Sequence, residues 1–225
     1  MNGLKRKRKP NRWDVICVLY AERHMAISLG FFDDWIVNGG VKRMQELWDR
    51  FNAMPTQVAY IEKNKNRFLE ELFSLIRIPS ISADSAYAPH MQTAAEAVAD
   101  ALKNAGCTHT EICPTAGYPI VYGEKMINPD LPTVLVYGHY DVQPADPLDL
   151  WHSDPFKATI IDEYIYARGV SDDKGQVYCH IKAIEYLLKT TGTLPVNIVM
   201  IIEGEEEIGS PNLAPFLKEY QEKLK

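Results

Sequence analysis

Cysteines and long apolar runs are scarce in this sequence. Its 225 residues include four cysteines, none of them in a CxxC pair or a close cluster. This number argues against a disulfide-stabilised scaffold and is typical of a reducing compartment. The longest apolar runs, such as 196–202, are far shorter than the ~20 residues of a membrane-spanning helix. The basic start is not followed by the apolar stretch and cleavage site of a signal peptide. We therefore expect a cytoplasmic protein without a membrane partner.

Basic residues are fewer than acidic residues. The chain has 24 Lys and Arg against 30 Asp and Glu, a net charge of -6, which argues against nucleic acid as a main partner. The imbalance is uneven, since residues 1–53 hold 10 basic and 6 acidic side chains and residues 54–225 hold 14 and 24. The run Lys5–Lys9 is either a nuclear-localisation or polyanion-binding patch or, as more often, a solvated terminus.

The charge break coincides with a change of pattern. Residues 1–53 show no sustained period, and a weak amphipathic helix from Val41 to Phe51 is their only regular feature. Apolar periodicity becomes clear from Met54 onward. We therefore expect residues 1–53 to be a poorly ordered or weakly helical leader, and residues 54–225 to form the folded part.

Helical and strand-like patterns alternate along residues 54–225. Helical spacing is found at 68–76, 91–105 and 176–189 and begins again at 211, whereas strand-like runs occupy 110–113, 119–123, 133–137 and 196–202, with a hairpin at 157–167. Strands that alternate with helices indicate an α/β fold. The fold class predicted is α/β, with a mostly parallel sheet flanked by helices.

Polar clusters follow two of the predicted strands and precede one helix. His139 and Asp141 come after the strand at 133–137, and Asp172 and Asp173 precede the helix at 176–189. A His-x-Asp pair suits a metal ligand whose ring is oriented by a carboxylate, although such a pair is more often part of a surface loop. Adjacent acids at a helix start are, taken alone, more often caps than metal ligands.

The third cluster, at 203–207, holds four glutamates after the strand at 196–202. Carboxylates crowded at the end of a buried strand repel one another unless a cation or a proton compensates their charge. The alternative is that the glutamates form a solvated acidic loop. Taken together, the three clusters supply one imidazole and several carboxylates at one edge of the sheet. That donor set suits Zn²⁺, Mn²⁺ or Co²⁺ in an open catalytic site.

Four segments extend over and between the polar clusters: VYGHYDVQPAD (136–146), WHSDPF (151–156), YARGVSDDKG (166–175) and EGEEEIGS (203–210). In order and in spacing they resemble the successive motifs of the M20 family of metallopeptidases. The resemblance is strongest to the dipeptidase branch, which includes carnosinase-like and Xaa-His dipeptidase-like enzymes, and it covers roughly residues 56–225.

The resemblance implies a role for each of five residues. His139 is expected to bind one of two metal ions, and Asp141 to orient it. Asp172 is expected to bridge both ions, with a cis peptide bond to the next residue. Glu207 would bind the second ion, and Glu206 would act as the general base.

The implied activity is hydrolysis of a peptide bond in dipeptides or short peptides, by a water shared between two divalent ions. Zinc is expected at both positions, with manganese or cobalt as alternatives. Family members also carry a further acidic ligand, a last metal-binding histidine and a lid domain that mediates homodimerisation, all expected beyond Lys225. We therefore expect this chain to be the amino-terminal part of a longer enzyme, inactive in isolation. The alternative is a catalytically inactive truncated fragment that binds metal weakly at most.

Overall fold

The computed structural model of the chain describes residues 55–162 and 164–224. They fall into two compact units, with residues up to Glu71 in one and residues from Leu72 onward in the other. The predicted leader and the helix from Val41 to Phe51 lie outside the described residues. Within the described part of the chain, no helix has the length and apolar character needed to span a membrane.

In the described part of the chain, four α-helices form where the sequence has helical spacing: α1 (Pro55–Ile76), α2 (Ala88–Ala105), α3 (Lys174–Thr191) and α4 (Leu213–Glu219). Helix α2 shows why. Its proline lies in the first turn, where no amide donor is needed, and Gly106 ends the helix in the left-handed conformation with a φ of 107°. Met91, Val98 and Leu102 repeat along one face of α2 and are fully buried.

Six strands are present among the described residues: β1 (His109–Cys113), β2 (Ile120–Lys125), β3 (Thr133–His139), β4 (Thr159–Ile161), β5 (Tyr164–Tyr166) and β6 (Asn197–Glu203). Four of them form a sheet in the order β1-β2-β6-β3, and β4 and β5 form the predicted hairpin. The α/β class is confirmed. The prediction of a mostly parallel sheet is wrong for this part of the chain, because β1–β2 and β2–β6 are antiparallel and β3–β6 alone is parallel.

The direction of β2 explains the error. A strand with residues buried on both faces has the same apolar run in a parallel and in an antiparallel pairing. The connection from Cys113 to Ile120 is short, and a short connection joins antiparallel neighbours. Strand β2 then pairs with β6 and places it at the centre of the sheet.

Helices cover both faces of this sheet. The larger apolar cluster joins α2 and α3 to one face, with Val121 and Met200 among its buried members. The smaller cluster joins α4 to the other face, where Phe216 packs near Tyr122 and Ile201. Successive strand residues therefore point to opposite layers. The predicted flanking of the sheet by helices is confirmed.

A short extended segment after α1 lies beside the end of β3. Ile81 forms a parallel bridge with Val142. The amide of Val142 donates to the carbonyl of Ser80 at 2.9 Å, and the Ser80 hydroxyl donates to the carbonyl of Tyr140 at 2.6 Å. We call residues 78–82 the docking segment, because these contacts attach it to the residues that leave β3.

Candidate metal centre

The parallel pairing of β3 and β6 determines where the site lies. His139 is opposite Glu203 in the register, so both strands end at the same edge of the sheet. The turn that follows β6 brings Glu206 and Glu207 back to the imidazole. One ligand atom from each of His139, Glu206 and Glu207 lies within 4.8 Å of the others.

Asp172 approaches the same imidazole from a third direction. Its Oδ1 lies 3.0 Å from Nε2 of His139, and Oε2 of Glu206 lies 3.8 Å from that nitrogen. The Asp172 side chain is 73% exposed, so this edge is open to solvent. The structure thus brings together His139, Asp172, Glu206 and Glu207, four of the five site residues named from the sequence.

The other imidazole nitrogen is held by Asp141, the fifth of these residues. Nδ1 of His139 lies 3.1 Å from the carbonyl oxygen of Asp141 and 3.2 Å from its Oδ1. Both oxygens are hydrogen-bond acceptors, so we assign a proton to Nδ1 of His139. Burial lowers the pKa of His139, but the hydrogen bond and charge of Asp141 outweigh it and raise the pKa to about 9. The ring is therefore oriented with Nε2 toward the acidic groups.

Asp141 organises more than the imidazole. It is fully buried, and its Oδ2 accepts from the Ser82 hydroxyl at 2.6 Å and from the Glu207 amide at 3.0 Å. Its Oδ1 accepts from the Glu206 amide at 3.2 Å. A buried carboxylate is tolerated when donors surround it in this way. One side chain thus aligns the histidine with the turn that carries both glutamates.

The two adjacent aspartates have different partners. The Asp172–Asp173 peptide bond is cis, as expected from the sequence. Oδ2 of Asp173 accepts from the backbone amide of His139 at 3.0 Å. Asp173 occupies the N-cap position of α3 but makes no side-chain cap, so the capping interpretation is wrong for its carboxylate. Burial raises the pKa of Asp173 to about 6, although the hydrogen bond from His139 lowers it.

Gly138 allows this contact between strand and helix. A Cβ at Gly138 would lie 2.6 Å from Oδ2 of Asp173 and 2.6 Å from Cγ2 of Val177 on α3. Real side chains essentially never approach so closely, so a larger residue here would displace the Asp173 carboxylate from the His139 amide.

Glu206 and Glu207 differ in their surroundings. Burial raises the pKa of Glu206; His139 opposes this rise, and the charges of Glu207, Asp141 and Asp172 add to it. Glu207 is held from outside the turn, since Nε2 of Gln143 donates to its Oε2 at 2.8 Å. Burial and the neighbouring carboxylates therefore both raise the proton affinity of Glu206.

The remaining glutamates of the cluster serve other contacts. Glu203 is buried, and its Oε1 accepts from the hydroxyls of Tyr137 at 2.6 Å and Ser210 at 2.8 Å. Glu205 is also buried and accepts from the Tyr118 amide at 3.2 Å and from Asn212 Nδ2 at 2.7 Å. The solvated acidic loop is therefore wrong as a description of Glu203 and Glu205.

Gln143 and Ser82 escaped the sequence reasoning, and Asp173 was considered there without a role in the metal centre. Gln143 and Asp173 lie inside the quoted motifs, so those motifs are the signal that points to them. Ser82 contacts Asp141 from 59 positions away. No local pattern connects two residues so far apart, and the partnership becomes visible when the docking segment is placed.

The donor set fits a divalent cation. An imidazole nitrogen and the carboxylates of Asp172, Glu206 and Glu207 converge at an open edge. Nitrogen and carboxylate oxygen suit Zn²⁺, Mn²⁺ and Co²⁺. Three carboxylates around one imidazole carry more negative charge than the imidazole alone balances, and a bound cation would reduce their repulsion.

Comparison with known proteins identifies the segment that carries this site. Residues 135–225 match the model of peptidase family M20/M25/M40. This segment belongs to the M20 peptidases. The prediction of the family is therefore confirmed.

The chain is similar to named dipeptidases. It is 37% identical over 179 residues to a Cys-Gly metallodipeptidase of Candida albicans, an alignment that covers 72% of this chain and 37% of that protein. It is 41% identical over 106 residues to the human Beta-Ala-His dipeptidase, which covers 47% of this chain and 21% of that protein. The chain thus spans about 37% of the length of the Candida relative.

The fold agrees with solved M20 dipeptidases. Human carnosine dipeptidase 1 superposes with a TM-score of 0.68 at 31% identity, over 73% of this chain and 37% of that one. The dipeptidase Dug1p from Saccharomyces cerevisiae gives a TM-score of 0.67 at 31% identity, with the same coverage of the two chains.

Proposed function

We propose that this chain supplies part of the active centre of a metal-dependent dipeptidase. The observation that carries the proposal is the convergence of Asp172, Glu206 and Glu207 on the Nε2 side of His139. The relationship to metallodipeptidases supports peptide hydrolysis as the reaction. Because the chain spans about 37% of the first of those relatives, the activity of the whole protein is part of the proposal.

Two divalent ions, zinc foremost, with manganese or cobalt as alternatives, are the cofactors we propose. His139 would hold one ion through Nε2, Glu207 would hold the other, and Asp172 would contact both. Bound ions supply positive charge that lowers the pKa of water and polarises a peptide carbonyl. The contact of Asp141 with Nδ1 supports this assignment, because it leaves Nε2 as the free donor atom once the proton departs.

Glu206 is the general base in this proposal. Its carboxylate lies at the imidazole edge, and its pKa is raised by burial and by neighbouring acids. It would accept a proton from the attacking water and deliver it to the amine that leaves when the C–N bond breaks. Asp141 would act as the positioning group for the reaction, through His139 and the amide of Glu206.

The substrate we propose is a dipeptide or short peptide. The names of the relatives supply two suitable probes, Cys-Gly and β-Ala-His. Homodimerisation through a lid domain, as in full-length relatives, and a cytoplasmic location stay predictions.

Metal content and hydrolysis test the proposal. We expect the purified chain to retain a divalent metal, and Glu206→Gln to abolish any hydrolysis of Cys-Gly or β-Ala-His. The matched control is Glu219→Gln, which makes the same change at an exposed position of α4. Metal binding equal to that of a His139→Ala/Asp172→Ala double variant would contradict the metal site. Retained metal without hydrolysis is the result expected for the amino-terminal part of a longer enzyme, whereas weak metal binding without hydrolysis would favour the inactive-fragment alternative.

A further inference from the structure

The docking segment carries two buried serines with different targets. The Ser82 hydroxyl donates to Oδ2 of Asp141 at 2.6 Å, and both residues are buried. The Ser80 hydroxyl donates to the backbone carbonyl of Tyr140 at 2.6 Å and is also buried. The two bonds are equally short, but Ser82 alone reaches a carboxylate of the metal centre.

Contacts other than the Ser82 hydroxyl also attach the docking segment to the residues that follow β3. Ser80 contributes its hydroxyl to Tyr140 and its carbonyl to the Val142 amide, and Ile81 bridges to Val142. These contacts fix the register of the segment against residues 140–142. The hydrogen bond from Ser82 therefore acts mainly on the orientation of the Asp141 carboxylate.

Asp141 divides its two oxygens between three elements. Oδ2 accepts from Ser82 and from the Glu207 amide, and Oδ1 faces the Glu206 amide and Nδ1 of His139. Hydrogen bonds from a hydroxyl to an ionised carboxylate are short and strong at about 2.5–2.7 Å. Ser82 is the side-chain donor that opposes the imidazole across the carboxylate, so it limits rotation of the carboxylate about its own axis.

We infer that Ser82 is a positioning residue of the metal centre, which acts through Asp141 on His139 and on the turn at Glu206 and Glu207. This inference rests on the proposed function. Loss of the hydroxyl leaves Oδ2 with the Glu207 amide as its remaining donor. The carboxylate then turns, and the imidazole loses its fixed orientation. Outer groups that orient a metal-binding histidine typically change metal affinity by about 10- to 100-fold when removed.

The competing interpretation is that Ser82 is a satisfied core serine and stabilises the fold alone. Ser80→Ala is the matched control, because it removes a buried hydroxyl two positions away with a bond of equal length. Both alanine variants are expected to lower the free energy of unfolding. They differ in their expected effect on His139.

The experiment uses Ser82→Ala, Ser82→Thr and Ser80→Ala in the full chain. The first readout is the Nδ1 chemical shift of His139 in the metal-free protein, assigned with His139→Gln. The second is the affinity for Co²⁺, from a titration followed by absorption. We expect Ser82→Ala to move the Nδ1 shift and weaken Co²⁺ binding about tenfold. Ser82→Thr, which keeps the hydroxyl, should restore both, and Ser80→Ala should change neither.

The inference is overturned if the Nδ1 chemical shift of His139 is the same in Ser82→Ala as in Ser80→Ala. If Ser82→Ala does not fold, Ser82→Cys replaces it, because a thiol keeps most of the volume and is a weak donor. Absence of Co²⁺ binding by the unaltered chain contradicts the proposed function. The Nδ1 shift still decides the role of Ser82 in that case, so the two failures are distinguishable.

Discussion

Gln143 holds the backbone and the side chain of Glu207 together. Its Nε2 donates to Oε2 of Glu207 at 2.8 Å and lies 3.3 Å from the carbonyl oxygen of the same residue. The glutamate carboxylate is thus directed before any ion binds. An acceptor oriented in advance loses less conformational entropy on binding.

Replacement of Gln143 by Ala should therefore weaken metal binding without weakening the fold. Gln143 is exposed, so we expect the free energy of unfolding to stay within about 0.5 kcal/mol of the original. Affinity for Co²⁺ or Zn²⁺ should fall several-fold. Gln92→Ala is the control, because Gln92 makes a comparable exposed bond of 2.9 Å to Glu96 on α2. Equal affinities in the two variants would contradict this role.

Metal should stabilise the folded chain, and a chelator should remove that gain. A ligand that binds the folded state at 100 times its dissociation constant adds about 2.7 kcal/mol. We expect the melting temperature to rise with added Zn²⁺ and to return to its starting value with EDTA. His139→Gln should remove the response, whereas His109→Gln, on β1, should keep it. A rise of the same size in the His139 variant would place the binding elsewhere.

Asn197 should be among the most sensitive positions for stability. Its buried amide accepts from the Ile127 and Asn128 amides at 2.7 and 3.1 Å and donates to the Asn128 and Leu131 carbonyls at 2.8 and 3.1 Å. Asn197→Ala removes the side-chain partner of the Ile127 and Asn128 amides and of the Leu131 carbonyl, whereas the Asn128 carbonyl keeps the Leu131 amide at 3.0 Å. We expect a loss of about 2 to 4 kcal/mol in urea unfolding.

The control for Asn197 is an exposed asparagine. Asn104→Ala on α2 should change stability by less than about 0.5 kcal/mol. A loss at Asn197 no larger than at Asn104 would show that the connection between β2 and β3 does not depend on these four bonds.

Cys107 should make stability fall at alkaline pH. Burial raises the pKa of its thiol from 9.0 to about 11; the charge of Lys125 opposes the rise and that of Glu124 adds to it. Between pH 9 and pH 11 the unfolded chain loses this proton first, so the folded state binds more protons and stability decreases. The decrease amounts to about 2 to 3 kcal/mol.

The measurement for Cys107 is urea unfolding from pH 8 to pH 11. Cys107→Ala should show a shallower decrease over this interval than the original chain. Cys179→Ala serves as the comparison: burial also raises the pKa of this thiol, but less than that of Cys107, so we expect a smaller change in slope. Identical slopes in the Cys107 variant and the original chain would refute the assignment.

Local signals in the sequence predicted the elements and several neighbours in the site. Helix α3 and strands β3 and β6 follow from apolar periodicity, which is set by residues close together in the chain. The proximity of His139 to Glu206 follows once both strands end at one edge. The roles of these residues stay predictions.

Long-range choices could not be read in the same way. The antiparallel pairing of β2 with β6 depends on which neighbour is available, because an apolar run carries no direction. The burial of Glu203 and Glu205 depends on partners such as Tyr137 and Asn212, which the fold supplies. The contact between Ser82 and Asp141 depends on the docking segment returning to the end of β3.

Gly138 has a consequence for how the sequence can diverge. Because a methyl group there would meet side-chain atoms of both Asp173 and Val177, a substitution at Gly138 requires these side chains to move or to be replaced. Position 138 is therefore expected to vary together with position 173 or 177, and not alone.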